Sequence, residues 1–140
     1  MFIMGLMSRI LLVEDDVYLR DVYVEALTDE GFSVETAEDG EIAFQKLEAE
    51  VWDLVLLDLT LPKLSGIEVL RKIRTSEAAS RNKNFIIVTN NTITDAQDIA
   101  DILSFSSEYL LKSDLTPQQF VEKVKGALVK SQSPAIPQQS

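Results

Sequence analysis

Apolar residues in this chain fall into short unbroken blocks, and between the blocks they recur every three or four positions. "RILLV" (9–13), "SVETA" (33–37), "DLVLL" (53–57), "FIIVT" (85–89) and "EYLLK" (108–112) read as strands. The stretches between them have a helical period. Leu19, Val22, Tyr23, Ala26 and Leu27 form one stripe; Phe120, Val124 and Leu128 form another, which Val121 and Ala127 widen. Side chains able to accept from the free N–H groups of a first turn mark where helices start. "SGIE" (65–68), "TDAQ" (94–97) and "TPQQ" (116–119) each fit the capping box, and Pro117 suits the first helical position. Asp39 before "GEIAFQKL" is a fourth cap, and Gly31 suits the left-handed turn that ends the first helix. Strand and helix thus alternate five times. That alternation predicts an α/β fold, a parallel sheet with right-handed crossovers and helices on both faces.

Composition narrows the chemistry. A chain of 140 residues suits one domain with a substantial core. It contains no cysteine and no histidine, which removes disulfides, thiolate metal sites and histidine-based catalysis. Asp and Glu number 23 against 13 Lys and Arg, a net charge of −10. So acidic a surface repels a phosphate backbone, and direct nucleic-acid binding by this domain is not expected. The opening "MFIMGLMSRILLV" is apolar, but Arg9 interrupts it and it is too short to span a bilayer. Residues 1–7 read as an N-terminal extension, 8–130 as the domain, and 131–140 as a disordered polar tail. A cytoplasmic location without membrane attachment is expected.

The stretch "WDLVLLDLTLP" (52–62) poses the chemical question. Leu54 to Leu57 have the pattern of a strand buried on both faces, yet Asp58 follows without a break. In doubly wound sheets, ligands bind outside the carboxyl ends of the strands. With strand order 2-1-3-4-5, Asp58 would end the third strand beside Glu14 and Asp15 at the end of the first. Two carboxylates roughly 5 Å apart repel by about 3 kcal/mol at an effective dielectric near 20. Either a proton is shared or a cation sits between them. An all-oxygen set suits Mg²⁺, which keeps waters and takes phosphate oxygens. Thr89 and Lys112, at the ends of the fourth and fifth strands, add a hydroxyl and an ammonium. Together these groups describe phosphoryl transfer to an aspartate. Each has a plainer reading: Asp15 or Asp16 as a helix cap, Thr89 as β-branched packing, Lys112 as a solvated charge. The expected convergence of all of them favours function.

The motifs "ILLVEDD", "DLVLLDLTLPKLSG", "IIVT" and "YLLK", in this order and strand context, resemble the receiver domain of two-component response regulators from about Arg9 to Lys130. The resemblance implies a flavodoxin-like, doubly wound five-stranded parallel sheet with strand order 2-1-3-4-5. It implies that Asp58 is the phosphoacceptor and that Glu14, Asp15, Asp58 and the backbone carbonyl of Thr60 hold Mg²⁺ (or Mn²⁺). Thr89 and Lys112 would contact the phosphoryl oxygens, and Tyr109 would turn inward as Thr89 is drawn to the phosphate. The implied partners are a sensor histidine kinase or phosphotransfer protein and an unknown downstream protein, the domain itself being a monomer or weak dimer. It would be a signalling domain rather than an enzyme, assisting its own phosphorylation and dephosphorylation. The resemblance fits a stand-alone receiver and one cut from a longer regulator alike. The chain departs from the family pattern at Asn84, Asn90, Phe105, Ser106 and Ser113. Asn90 stands where a small residue is usual, so it is expected at the site's rim, hindering a phosphodonor. Ser113 replaces a proline after Lys112. A cis bond before serine costs about 2.5–4 kcal/mol, so the Lys112–Ser113 bond is expected to be trans.

Three other readings compete. A flavodoxin-like electron carrier would need a Ser/Thr/Gly-rich phosphate loop where this chain has "VEDDVYLR". A phosphatase of the haloacid dehalogenase type would want a second Asp where Thr60 stands. A pseudo-receiver, a protein–protein module that never carries phosphate, is opposed by Asp15, Asp58, Thr89 and Lys112.

Overall fold

The computed structural model describes residues 8–90 and 92–132. The expected extension at 1–7 and the tail at 133–140 lie outside these residues. Strands β1 (Arg9–Val13), β2 (Ser33–Ala37), β3 (Leu54–Leu57), β4 (Phe85–Thr89) and β5 (Ser106–Leu111) alternate with helices α1 (Val17–Asp29), α2 (Gly40–Ala49), α3 (Gly66–Arg74), α4 (Ala96–Phe105) and α5 (Pro117–Gln132). The strands form one parallel sheet in the order β2-β1-β3-β4-β5.

The sheet is covered on both sides, which explains why its central strands are apolar without alternation. Successive side chains of a strand point to opposite faces. Leu11, Val13, Val55, Leu57, Phe85 and Ile87 pack with Ala43 and Leu47 of α2, Val69, Leu70 and Ile73 of α3, and Ile102 of α4. Ile10, Leu12, Leu54, Leu56, Ile86 and Val88 pack with Tyr23 and Leu27 of α1 and with Phe120, Val121, Val124, Ala127 and Leu128 of α5. The two helical stripes read from sequence therefore meet on the same face. The Tyr23 and Phe120 rings stack there at 4.2 Å between centroids.

Local chemistry sets most boundaries where the sequence places them. Asp16, Asp39 and Ser65 accept from the N–H groups of Leu19, Ile42 and Glu68. Capping boxes close at Ser65–Glu68 and Thr116–Gln119. Gly31 takes φ 94° just past α1, a conformation without steric penalty only for glycine. Four boundaries differ. The cap of α4 is Asp95, not Thr94: its carboxylate accepts from Asp98 N–H, and a carboxylate beside the helix dipole is the stronger acceptor. β3 starts at Leu54 because the side chain of Asp53 takes the Arg9 N–H at 2.7 Å and ends the ladder there. β5 starts at Ser106, two residues before the expected Glu108, and the pairing shifts register between Phe85 and Ile86. The Ser106 hydroxyl bridges that bulge, donating to the Phe85 carbonyl and accepting from Glu108 N–H, so a residue of low strand propensity is held in the sheet. α5 extends to Gln132, two residues past Lys130.

Candidate functional site

The carboxyl ends of β1, β3, β4 and β5 line one cleft formed by Glu14, Asp15, Asp16, Leu19, Asp58, Thr60, Thr89, Asn90 and Lys112. Glu14 follows β1 directly, and its N–H donates to the Ala37 carbonyl, so the β1–β2 ladder fixes its position. Its side chain is buried, while Asp15 is exposed. Asp58 continues β3, with its N–H donating to the Val13 carbonyl. Gly66 lets the following loop fold back over this point. A Cβ there would stand 2.3 Å from the Asp58 carbonyl oxygen, a distance no side chain could occupy.

The charge that ends β3 has a partner. Lys112 Nζ lies 2.6 Å from Asp58 Oδ2 and 2.6 Å from Glu14 Oε1. The Thr60 N–H donates to the other Asp58 oxygen at 3.1 Å, and the Asp16 N–H donates to Glu14 Oε2. Burial would lower the pKa of Lys112, but its hydrogen bonds to Asp58 and Glu14 outweigh burial and raise it above the ordinary lysine value. Burial pushes the Glu14 carboxyl up, and the pull of Lys112 and of the Asp16 N–H in the other direction does not fully offset it. Glu14, Asp15 and Asp58 offer oxygen atoms that all lie within 4.8 Å of one another. This all-oxygen, partly solvated set fits a hard divalent cation that keeps some of its water.

Thr89 ends β4 fully buried beside the cleft. Tyr109 is the one expected site residue that does not line it. It sits on β5 at 38% exposure, over an apolar groove formed with Thr92, Ile93, Ile99, Ile102, Leu103 and Leu111. Lys112 has left the strand assigned to it. It opens a 3₁₀ turn (Lys112–Asp114), and its Nζ reaches back to the carboxylates. None of the described peptide bonds is cis, so the bond to Ser113 is trans as expected.

Sequence reasoning missed three local features. Arg20, one turn into α1, donates to the Glu14 carbonyl at 3.0 Å. Asp16, read only as a cap, also lines the cleft. Asn90 was placed at the rim, but its Oδ1 also accepts from the Ser113 N–H at 3.0 Å. The replacement of proline by serine was the signal available for this contact, because it restores a donor that proline lacks.

The comparisons agree with this geometry. A CpxR homologue described as a transcriptional regulatory protein of Haemophilus influenzae is 36% identical over 92% of this chain and 54% of its own length. The response regulator ArlR of Staphylococcus aureus is 33% identical over 76% of this chain and 46% of its own. The chain thus spans about half the length of these curated relatives. Among solved structures, a CheY-like receiver domain of Methanospirillum hungatei superposes with a TM-score of 0.75 at 30% identity, covering 89% of this chain and 95% of that one. The response regulator TrrA of Thermotoga maritima, solved with Mg²⁺ and BeF, gives 0.70 at 34% identity, covering 86% and 99%. The family model of the response regulator receiver domain matches residues 10–125, from the first strand well into the last helix, and the chain belongs to that family.

Proposed function

We propose that this receiver domain accepts a phosphoryl group on Asp58 and thereby changes its affinity for a protein partner. One arrangement carries the reading: a buried strand-end aspartate, 2.6 Å from a lysine ammonium, grouped with two further carboxylates. The donor is the phosphohistidine of a sensor histidine kinase or phosphotransfer protein, or a small phosphodonor. A carboxylate oxygen of Asp58 attacks the phosphorus in line and needs no general base. The new O–P bond forms as the N–P bond of the donor breaks, and its electron pair leaves with the imidazole. Lys112 is placed to offset charge on the transferring group, and the Thr89 hydroxyl to donate to one of its oxygens. Glu14, Asp15, Asp58 and the Thr60 carbonyl are the residues to hold Mg²⁺ or Mn²⁺, which supplies charge neutralisation at the phosphoryl oxygens. The Mg²⁺ and BeF in TrrA, a relative at 34% identity, support that assignment.

The product carries about −1.5 to −2 charges where the carboxylate carried one. The response assigned to that charge runs outward. Thr89 moves toward the phosphoryl group, Tyr109 follows inward, and the surface of α4, β5 and α5 changes. The downstream partner is a protein, in line with a cytoplasmic signalling role. Intact-mass measurement tests the reading. Incubated with acetyl phosphate and Mg²⁺, the wild type is expected to gain one phosphoryl mass, and Asp58→Asn none. An unchanged wild-type mass would leave a receiver that binds partners independently of phosphorylation.

A further inference from the structure

Thr89 and Leu111 are the last paired residues of β4 and β5, and the backbone ladder between these strands stops there. One step further, a side chain continues it. Asn90 Oδ1 accepts from the N–H of Ser113, the residue immediately after Lys112. The turn that begins at Lys112 has its own closing bond, from the Leu115 N–H to the Lys112 carbonyl, but no side-chain cap. The Asn90 carboxamide therefore ties down the start of that turn from the neighbouring strand. Two departures from the family pattern meet in this one bond. An asparagine supplies the acceptor, and the serine that replaces proline supplies the donor.

We propose that Asn90 is a positioning residue for the phosphoryl site: by holding the turn after Lys112 to the end of β4, it keeps the lysine ammonium docked between Glu14 and Asp58. This inference rests on the phosphoacceptor reading. It adds that Lys112 is aimed by a side chain rather than by a proline-fixed turn. The consequence has two opposite signs. A docked ammonium offsets charge during transfer, but it also occupies the carboxylates that a divalent cation needs. Releasing Lys112 should slow phosphoryl gain and tighten Mg²⁺ binding together. A hydrogen bond of this kind, between neutral groups at a solvent-exposed edge, sets a change of about two- to tenfold in each.

Asn90→Leu keeps bulk at the rim while removing the acceptor, whereas Asn90→Ala removes both. Asn90→Asp keeps an acceptor. The direct readout is amide hydrogen exchange at Ser113, measured by nuclear magnetic resonance. Protection should hold in the wild type and in Asn90→Asp and fall in Asn90→Leu. Calorimetric titration of Asn90→Leu with MgCl₂ should show tighter binding than wild type, while its rate of mass gain from acetyl phosphate falls and its melting temperature drops by no more than about 5 °C. Ser113 exchange and Mg²⁺ affinity in Asn90→Leu that match the wild type would overturn the proposal. So would a rate unchanged in Asn90→Leu but raised in Asn90→Ala, which assigns the residue to steric hindrance alone. Failure of the wild type to gain phosphoryl mass is a separate result, which refutes the phosphoacceptor reading and leaves the exchange and Mg²⁺ measurements interpretable.

Discussion

Glu14 occupies an awkward position for a carboxylate, at 2% exposure among Asp15, Asp58 and the Lys112 ammonium. Because burial raises its folded-state pKa above the ordinary 4.5, protonated Glu14 fits the fold better than ionised Glu14. The sign of the linkage follows. The contribution of this group to stability is fully present below about pH 4.5 and is lost as pH rises through the higher folded-state value. In the absence of divalent cations at pH 7, the buried carboxyl therefore weakens the fold, and a neutral amide of nearly the same shape should not. Glu14→Gln is expected to melt above the wild type at pH 7. The advantage should shrink as pH is lowered toward and below the ordinary 4.5. Lys112 keeps Asp58 as a partner in this variant, so its ammonium is not stranded. Thermal melts in a chelator across pH 4–7 check this, and a lower melting temperature for the variant at pH 7 would count against it.

At the scale of elements, α4 is held to α3 by a cluster of charges as well as by the apolar contact of Ile102. Arg71 Nε donates to Asp101 Oδ2 at 2.7 Å, Arg74 Nη1 and Gln97 donate to Asp101 Oδ1, and Arg71 Nη2 reaches Asp98 at 2.6 Å. Asp101 is only 3% exposed, but these partners are its cover, so it lies under guanidinium groups rather than deep in the core. The Arg71 hydrogen bond holds its carboxyl below the ordinary 3.8, and the contribution to stability is present above that value and lost as pH falls through the lower folded-state one. On the opposite side of α4, Ile99 and Leu103 are exposed along the groove that Tyr109 overlies. A helix clamped on one face and bare on the other should open first when the clamp is cut. Asp101→Asn is expected to raise amide hydrogen exchange across α4 well above that in α2 and α3, with a lower melting temperature. Exchange that rises equally in all three helices would show that Asp101 supports the fold in general rather than this one helix. None of this network was legible in the sequence. Nothing in the local spacing of Arg71, Arg74, Asp98 and Asp101 signals it, because ion pairs between helices depend on how the helices sit.

Much of the whole molecule was legible, and the reason is physical. The parallel sheet follows from alternation and handedness, its order 2-1-3-4-5 from the family resemblance, and the edge that carries the cleft from where the strands end. Glu14, Asp15, Asp58, Thr89 and Lys112 each sit at or just beyond a strand terminus, so period alone brought them to one edge. What escaped was set by single hydrogen bonds. Ser106 is drawn into β5 by its hydroxyl, Lys112 is turned out of it into a 3₁₀ turn, and Asn90 reaches Ser113. The charge distribution supplies the remaining argument at this scale. With a net charge of −10, any salt relieves general repulsion, whereas a divalent cation seated among Glu14, Asp15 and Asp58 would add a site-specific contribution. A ligand that binds only the native state stabilises it by RT ln(1 + [L]/Kd), about 1.4 kcal/mol at a concentration tenfold above Kd. For a domain of this size that is a rise of about 5 °C in Tm. MgCl₂ is therefore expected to raise the melting temperature by more than NaCl at matched ionic strength. Asp15→Asn should lose that excess while keeping the response to NaCl, because Asp15 is exposed and its amide leaves the core undisturbed. Equal shifts with the two salts would mean that the acidic edge acts only as diffuse charge. An excess that survives in Asp15→Asn would move the cation away from this cluster.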